Sequence, residues 1–129
     1  MVGKGTASHS LRTEKVKEIV LNGLLPILKG KKNTLFIIPD LTRSFPLHLI
    51  FPVINHAAKI QECQIDFLIA LGTHPPLSDR EIKNLIGISN FKSNQYIANP
   101  RVMNHDWKNV SNLKCIGVIT PAEVSKLTD

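Results

Sequence analysis

The stretch Ile37-Ile38-Pro39-Asp40-Leu41-Thr42-Arg43-Ser44-Phe45-Pro46 marks a boundary, since an apolar run stops inside it and a helix-like pattern begins beyond it. Upstream, Thr34-Leu35-Phe36-Ile37-Ile38 has the continuous apolar character of a strand buried on both faces. Asp40, Thr42 and Arg43 gather an acceptor, a hydroxyl and a fixed cation at its carboxyl end, the edge where ligands sit in open α/β sheets. Downstream, Pro46 suits the first turn of a helix. Leu47, Ile50, Val53, Ile54, Ala57, Ala58 and Ile60 then give that helix a broad apolar face up to about Gln61, as a mostly buried crossover requires. Ile65-Asp66-Phe67-Leu68-Ile69-Ala70-Leu71 reads as a second buried strand ending at Gly72-Thr73-His74-Pro75-Pro76, and strand, helix, strand in this order predicts a right-handed parallel unit.

Further out the signals are local. Ser78-Asp79-Arg80-Glu81 is a capping box opening a short helix from Asp79 to Ile86, with Gly87 as its stop. Residues 88 to 112 are rich in Asn and Ser and read as a loop with one or two short strands, at Tyr96-Ile97-Ala98 and Val102-Met103. Lys114-Cys115-Ile116-Gly117-Val118-Ile119 is expected to be a last strand, and Pro121 to Leu127 a helix. On the amino-terminal side, residues 1 to 9 form a flexible lead-in. A helix begins near Ser10, carries Leu11, Val16, Ile19, Val20 and Leu24 at helical spacing, weakens at Gly23 and Pro26, and ends at Gly30. The expected fold over residues 10 to 129 is one α/β domain, a layered Rossmann-like arrangement with a mainly parallel central sheet flanked by helices.

Composition narrows the function classes. With 43% hydrophobic and 20% charged residues among 129, the chain can bury a core as one domain. A net charge of +6 favours anionic partners, but the basic residues are scattered, and the seven aromatics lie mostly in apolar runs, so a nucleic-acid interface is not expected. Cys63 and Cys115 are far apart and neither lies in a CxxC pair, which argues against a disulfide or metal framework and makes both small apolar fillers. Without an apolar leader or a run long enough to span a bilayer, the reading is a soluble, cytoplasmic protein with no membrane partner.

Three polar clusters could carry chemistry. Arg43 offers a planar fork for a carboxylate or phosphate, with Asp40 to orient it or accept a hydroxyl. The same residues could equally be a helix cap and a surface ion pair. His74 ends the neighbouring parallel strand and so faces the same edge, where an imidazole is suited to moving protons near neutral pH. Asn104-His105-Asp106 contains a possible metal-ligand pair, but the further ligand motifs of a metal hydrolase are missing, so His105 and Asp106 read as loop-ordering groups. His48 and His56 lie within the crossover helix and His9 in the lead-in, so none of the three is a candidate.

Asp-x-Thr-Arg with a proline after it, then Gly-Thr-His followed by prolines and a Ser-x-x-Glu helix ending in Leu-x-Gly, then Asn-His-Asp, resembles in order and spacing the N-terminal domain of the nickel-dependent lactate racemase family. The similarity covers about residues 5 to 129. It implies a 2-hydroxy acid racemase or epimerase with its active site between two α/β domains. It also implies a nickel pincer nucleotide (pyridinium-3,5-bisthiocarboxylic acid mononucleotide nickel) as cofactor. By this resemblance Asp40, Leu41, Thr42 and Arg43 line the cofactor site, Arg43 also grips the substrate carboxylate, and His74 is one of two acid/base histidines. Thr73, His105 and Asp106 support them from behind, and no metal ligand lies in this chain. The implied chemistry is removal of the hydroxyl proton by histidine while hydride moves to the cofactor and returns to either face of the keto acid. The family commonly has proline directly after the arginine and arginine directly after the histidine; Ser44 and Pro75 stand here instead, so the substrate is expected to differ from lactate. The family's cofactor-tethering lysine, nickel-ligand histidine and second acid/base histidine lie in later segments. The chain is therefore expected to be the amino-terminal half of a two-domain enzyme, possible as a homo-oligomer, silent alone and without tightly bound cofactor. The alternative is a non-catalytic α/β module that binds an anionic metabolite at the Asp40, Arg43 and His74 edge.

Overall fold

The structure, a computed structural model, describes residues 10–88 and 100–128. The expected lead-in and the strand at Tyr96-Ile97-Ala98 lie outside the described residues. Helix α1 (Thr13–Leu28) leads into β1 (Asn33–Pro39), α2 (Leu47–Ile60), β2 (Gln64–Ala70), α3 (Asp79–Leu85), β3 (Val102–Asn104) and a terminal α4 (Pro121–Thr128). The three strands form one sheet in the order β1-β2-β3 with both pairings parallel, so the fold is α/β with the expected strand, helix, strand unit at its centre.

The core is built where α1 and α2 cover one face of this sheet. From α2, Leu47, Phe51, Ile54, Ala57 and Ala58 meet Ile65, Phe67 and Ile69 of β2, and Leu28 closes the cluster from α1. The Phe51 ring lies 4.8 Å from that of Phe67, which in turn stacks on Phe36 at 5.4 Å. Burying such a side chain fully contributes about 1.5–3 kcal/mol, enough for tertiary packing to override weak local propensity. Helix α1 shows the effect, running through Gly23 and Pro26 because Leu21, Leu24 and Leu25 pack on the core. Gly30 then takes a φ of +72°, the left-handed turn that ends it.

Three expectations fail in the fold. β1 is not buried on both faces, since Leu35 and Ile37 are 52% and 70% exposed while Ile38 on the opposite face is buried. β2 likewise alternates, with Asp66 and Leu68 only half-buried. An unbroken apolar run marks a strand, but its period does not distinguish one helix-covered face from two. Lys114 to Ile119 forms no strand, and Ile116 and Val118 stand 99% and 82% exposed. Strand-forming residues need a neighbouring ladder, and the described residues give this segment none. Cys115, expected as an apolar filler, is exposed with it, whereas Cys63 is buried as expected.

Register then positions the site. Pro39 pairs with Ala70, and Ile69 with Asn104, so the segments that follow all three strands leave the sheet at one edge. No helix among the described residues is long and apolar enough to cross a membrane.

Candidate functional site

Asp40 is the buried charged residue of this edge, with its side chain only 5% exposed. Each of its carboxylate oxygens has a defined partner. Oδ1 accepts from the Thr42 hydroxyl at 2.6 Å and from the Thr42 backbone N–H at 3.0 Å. The chain folds back to make this possible as an aspartate-initiated turn, closed by the Arg43 N–H on the Asp40 carbonyl at 3.4 Å. Oδ2 pairs with Nδ1 of His74 at 2.5 Å. The Thr42 hydroxyl and the His74 ring hold the Asp40 carboxyl down at about 2, outweighing the upward push of burial.

His74 reaches Asp40 because β1 and β2 are parallel neighbours in register. After Ala70 the chain turns at Gly72, whose φ of +58° lies in the left-handed region that side-chain-bearing residues rarely adopt. A Cβ there would meet nothing within 4 Å, so the demand for glycine is conformational rather than steric. The turn is closed by the His74 N–H on the Leu71 carbonyl at 2.9 Å.

The tautomer follows from this geometry. A carboxylate ionised at neutral pH only accepts hydrogen bonds, so Nδ1 must carry the proton that it donates to Asp40. In the neutral ring Nε2 then holds the lone pair, and the side chain as a whole is 50% exposed. Such an imidazole can take a proton at Nε2, and Asp40 stabilises the resulting cation from behind.

Arg43 lies in the same turn, exposed, and its guanidinium has no hydrogen-bond or ion-pair partner among the described residues. Its backbone is nonetheless tied down on both sides, through the Asp40 carbonyl and through its own carbonyl, which accepts the Phe45 N–H at 2.8 Å. A planar cation with no partner among the described residues, carried on an anchored turn, can receive a carboxylate or phosphate. Leu41 is 41% exposed on the same turn.

The remaining sequence candidates are placed differently. Thr73 is exposed and makes no side-chain hydrogen bond with the described residues. His105 uses its backbone, whose N–H continues the sheet onto the Ile69 carbonyl at 3.1 Å. Asp106 accepts from Asn112 Nδ2 at 3.0 Å and orders its own loop. Neither His105 nor Asp106 hydrogen-bonds to Asp40, Arg43 or His74 among the described residues, where no group of three His, Cys, Asp or Glu side chains is arranged to hold a metal ion. The neighbours that do reach the site loop are Asn104 and Trp107, which sequence reasoning passed over although one opens the Asn-His-Asp motif and the other directly follows it.

With this geometry in place, comparison with known proteins is informative. The lactate racemase N-terminal domain family matches residues 8–126. The lactate racemase of Thermoanaerobacterium thermosaccharolyticum is 28% identical over 109 residues, 81% of this chain and 24% of that protein. A crystal structure of a protein from Thermotoga maritima superposes with a TM-score of 0.65 at 26% identity, covering 87% of this chain and 26% of that one. The chain thus spans about a quarter of the length of these relatives.

Proposed function

This chain belongs to the lactate racemase N-terminal domain family, and we propose that it supplies the proton-transfer histidine and the carboxylate-binding arginine of a 2-hydroxy acid racemase or epimerase. The observation that carries this reading is the 2.5 Å bond from His74 Nδ1 to a buried, ionised Asp40, three residues before Arg43, whose guanidinium has no partner among the described residues. A 2-hydroxy acid presents an anion and, one carbon away, a hydroxyl whose proton must leave. Arg43 receives the carboxylate as a bidentate fork, and His74 Nε2 takes the hydroxyl proton and returns it.

Asp40 acts on His74 rather than on a cofactor in this reading. Its two oxygens are already occupied and its side chain faces inward, which fixes the ring and its tautomer. An anionic cofactor would be met instead by Arg43 and the exposed Leu41–Thr42 turn. The donor set fits a nickel pincer nucleotide only in part, since the described residues hold no nickel-binding cluster and the turn can contact only the organic portion. When bound, that cofactor supplies the hydride acceptor of the reaction. The metal ligands, the tether and a second acid/base group would come from a further domain that closes over this edge.

The test is to express the longer polypeptide, load it with the pincer cofactor, and assay racemisation of a panel of 2-hydroxy acids with His74→Ala and Arg43→Ala beside it. Loss of activity in both variants is expected, with the 129-residue chain inactive alone. Undiminished activity in both variants would overturn the assignment.

A further inference from the structure

The loop that carries His74 is poorly equipped to hold itself. Two of its residues, Pro75 and Pro76, have no backbone N–H, so the segment from His74 to Leu77 lacks the donors that would knit an ordinary turn. Its backbone groups are instead satisfied from outside, by the side chains of Asn104, the last residue of β3, and of Trp107 beyond it. Asn104 clasps Leu77 from both directions, accepting the Leu77 N–H at 3.0 Å and donating Nδ2 to the Leu77 carbonyl at 2.8 Å. Trp107 donates its indole N–H to the carbonyl of His74 itself at 3.2 Å.

These two clasps grip the proline pair at either end. They are also anchored, since Asn104 pairs with Ile69 in the sheet and the His105 N–H continues that ladder. Trp107 packs its ring against the core, and its own N–H bonds the His105 carbonyl at 3.0 Å.

We propose that Asn104 and Trp107 are positioning residues for His74, a brace that carries the rigidity of the sheet into the Pro75-Pro76 loop and holds the imidazole on Asp40. The inference rests on the reading of His74 as the acid/base group, and it gives the Asn104-His105-Asp106 motif a function that lies in Asn104 and in Trp107 directly after the motif. Asn104 works through two backbone bonds that an aspartate or alanine cannot both make. Trp107 works through one N–H that phenylalanine lacks while keeping much of the ring packing. The brace acts on geometry, so its removal moves the His74–Asp40 bond without touching either side chain.

The experiment is carbon-13 NMR titration of the Asp40 carboxyl in the 129-residue chain and in Trp107→Phe and Asn104→Ala, with amide exchange read at His74 and Leu77. In the unaltered chain Asp40 is expected to titrate at about 2; an ordinary value there would overturn the dyad and the proposed function with it. With the dyad present, each variant is expected to raise that midpoint toward 3.8 and to speed loop exchange at least tenfold, while the rest of the amide spectrum stays folded. Unchanged titration and exchange in both variants would overturn the brace and leave the dyad standing. Global unfolding of Trp107→Phe would also overturn it, because the residue would then be a general strut.

Discussion

Asp40, just past the end of β1, and Asp66, within β2, are both paired with a basic side chain, yet only one of the two partners has a nitrogen able to exchange a proton at ordinary pH. Asp66 meets Arg101 where β2 and β3 begin, through Nε at 3.2 Å and Nη2 at 2.5 Å, and it also accepts the Arg101 backbone N–H at 3.1 Å. Its partner is permanently charged, 73% exposed at the side chain, and has no proton to give at any ordinary pH. Asp40, at the other end of the strands, is nearly sealed from solvent and holds one nitrogen of a ring whose other nitrogen is unbonded among the described residues. Both carboxyls are held below the ordinary range, Asp40 mainly by Thr42 and His74 and Asp66 mainly by Arg101. A depressed carboxyl therefore does not mark a functional site. What separates the two pairs is whether the partner retains a group able to exchange a proton.

Substitution should break this contrast in graded steps. His74→Ala in the cofactor-loaded longer protein removes the proposed base, and a loss in kcat of about 10²–10⁴-fold is expected, measured by chiral separation of the 2-hydroxy acid. Arg43→Ala is next. Loss of one charge-assisted pair, about 1.5–3 kcal/mol, predicts a KM raised roughly 10- to 100-fold with a smaller change in kcat. Arg43→Lys should recover only part, because a point charge does not replace the fork.

Asp40→Asn is expected to cost about 1–3 kcal/mol in urea unfolding of the chain, since the buried acceptors for Thr42 and His74 are weakened. Its pH dependence carries a sign. A carboxyl depressed from 3.8 to about 2 stabilises the fold fully above the ordinary value, and that contribution is lost as pH falls toward 2. The stability gap between the chain and Asp40→Asn should therefore narrow as pH falls below about 4, a window set by those two values. Asp66→Asn closes the series with the smallest loss of stability and no change in turnover, as befits a pair whose arginine is open to solvent.

Much of the site was legible because topology did the placing. Once Thr34–Ile38 and Ile65–Leu71 read as parallel strands, Asp40 and His74 had to share an edge, and the register of Pro39 with Ala70 places them there. The Ser78–Glu81 capping box was equally local and is present with both of its bonds. What escaped were features decided by tertiary neighbours. The apolar pattern of β1 does not reveal that Leu35 and Ile37 face outward, and the strand-like residues at Lys114–Ile119 do not report that no ladder lies beside them among the described residues. The Asn-His-Asp motif drew attention to its titratable members, whereas the bonds to the His74 loop come from Asn104 and Trp107. The one available signal was Pro75-Pro76, a pair that leaves its loop short of donors and so calls for outside support.

The central claim is that Asp40 holds His74 as a base with its outer nitrogen free. Long-range proton–nitrogen-15 NMR of the His74 ring tests it most directly. The account predicts that at a pH where the ring is neutral Nδ1 carries the proton and Nε2 is bare, and that Asp40→Asn abolishes this preference. A ring protonated at Nε2, or one whose tautomer ignores Asp40→Asn, would contradict it.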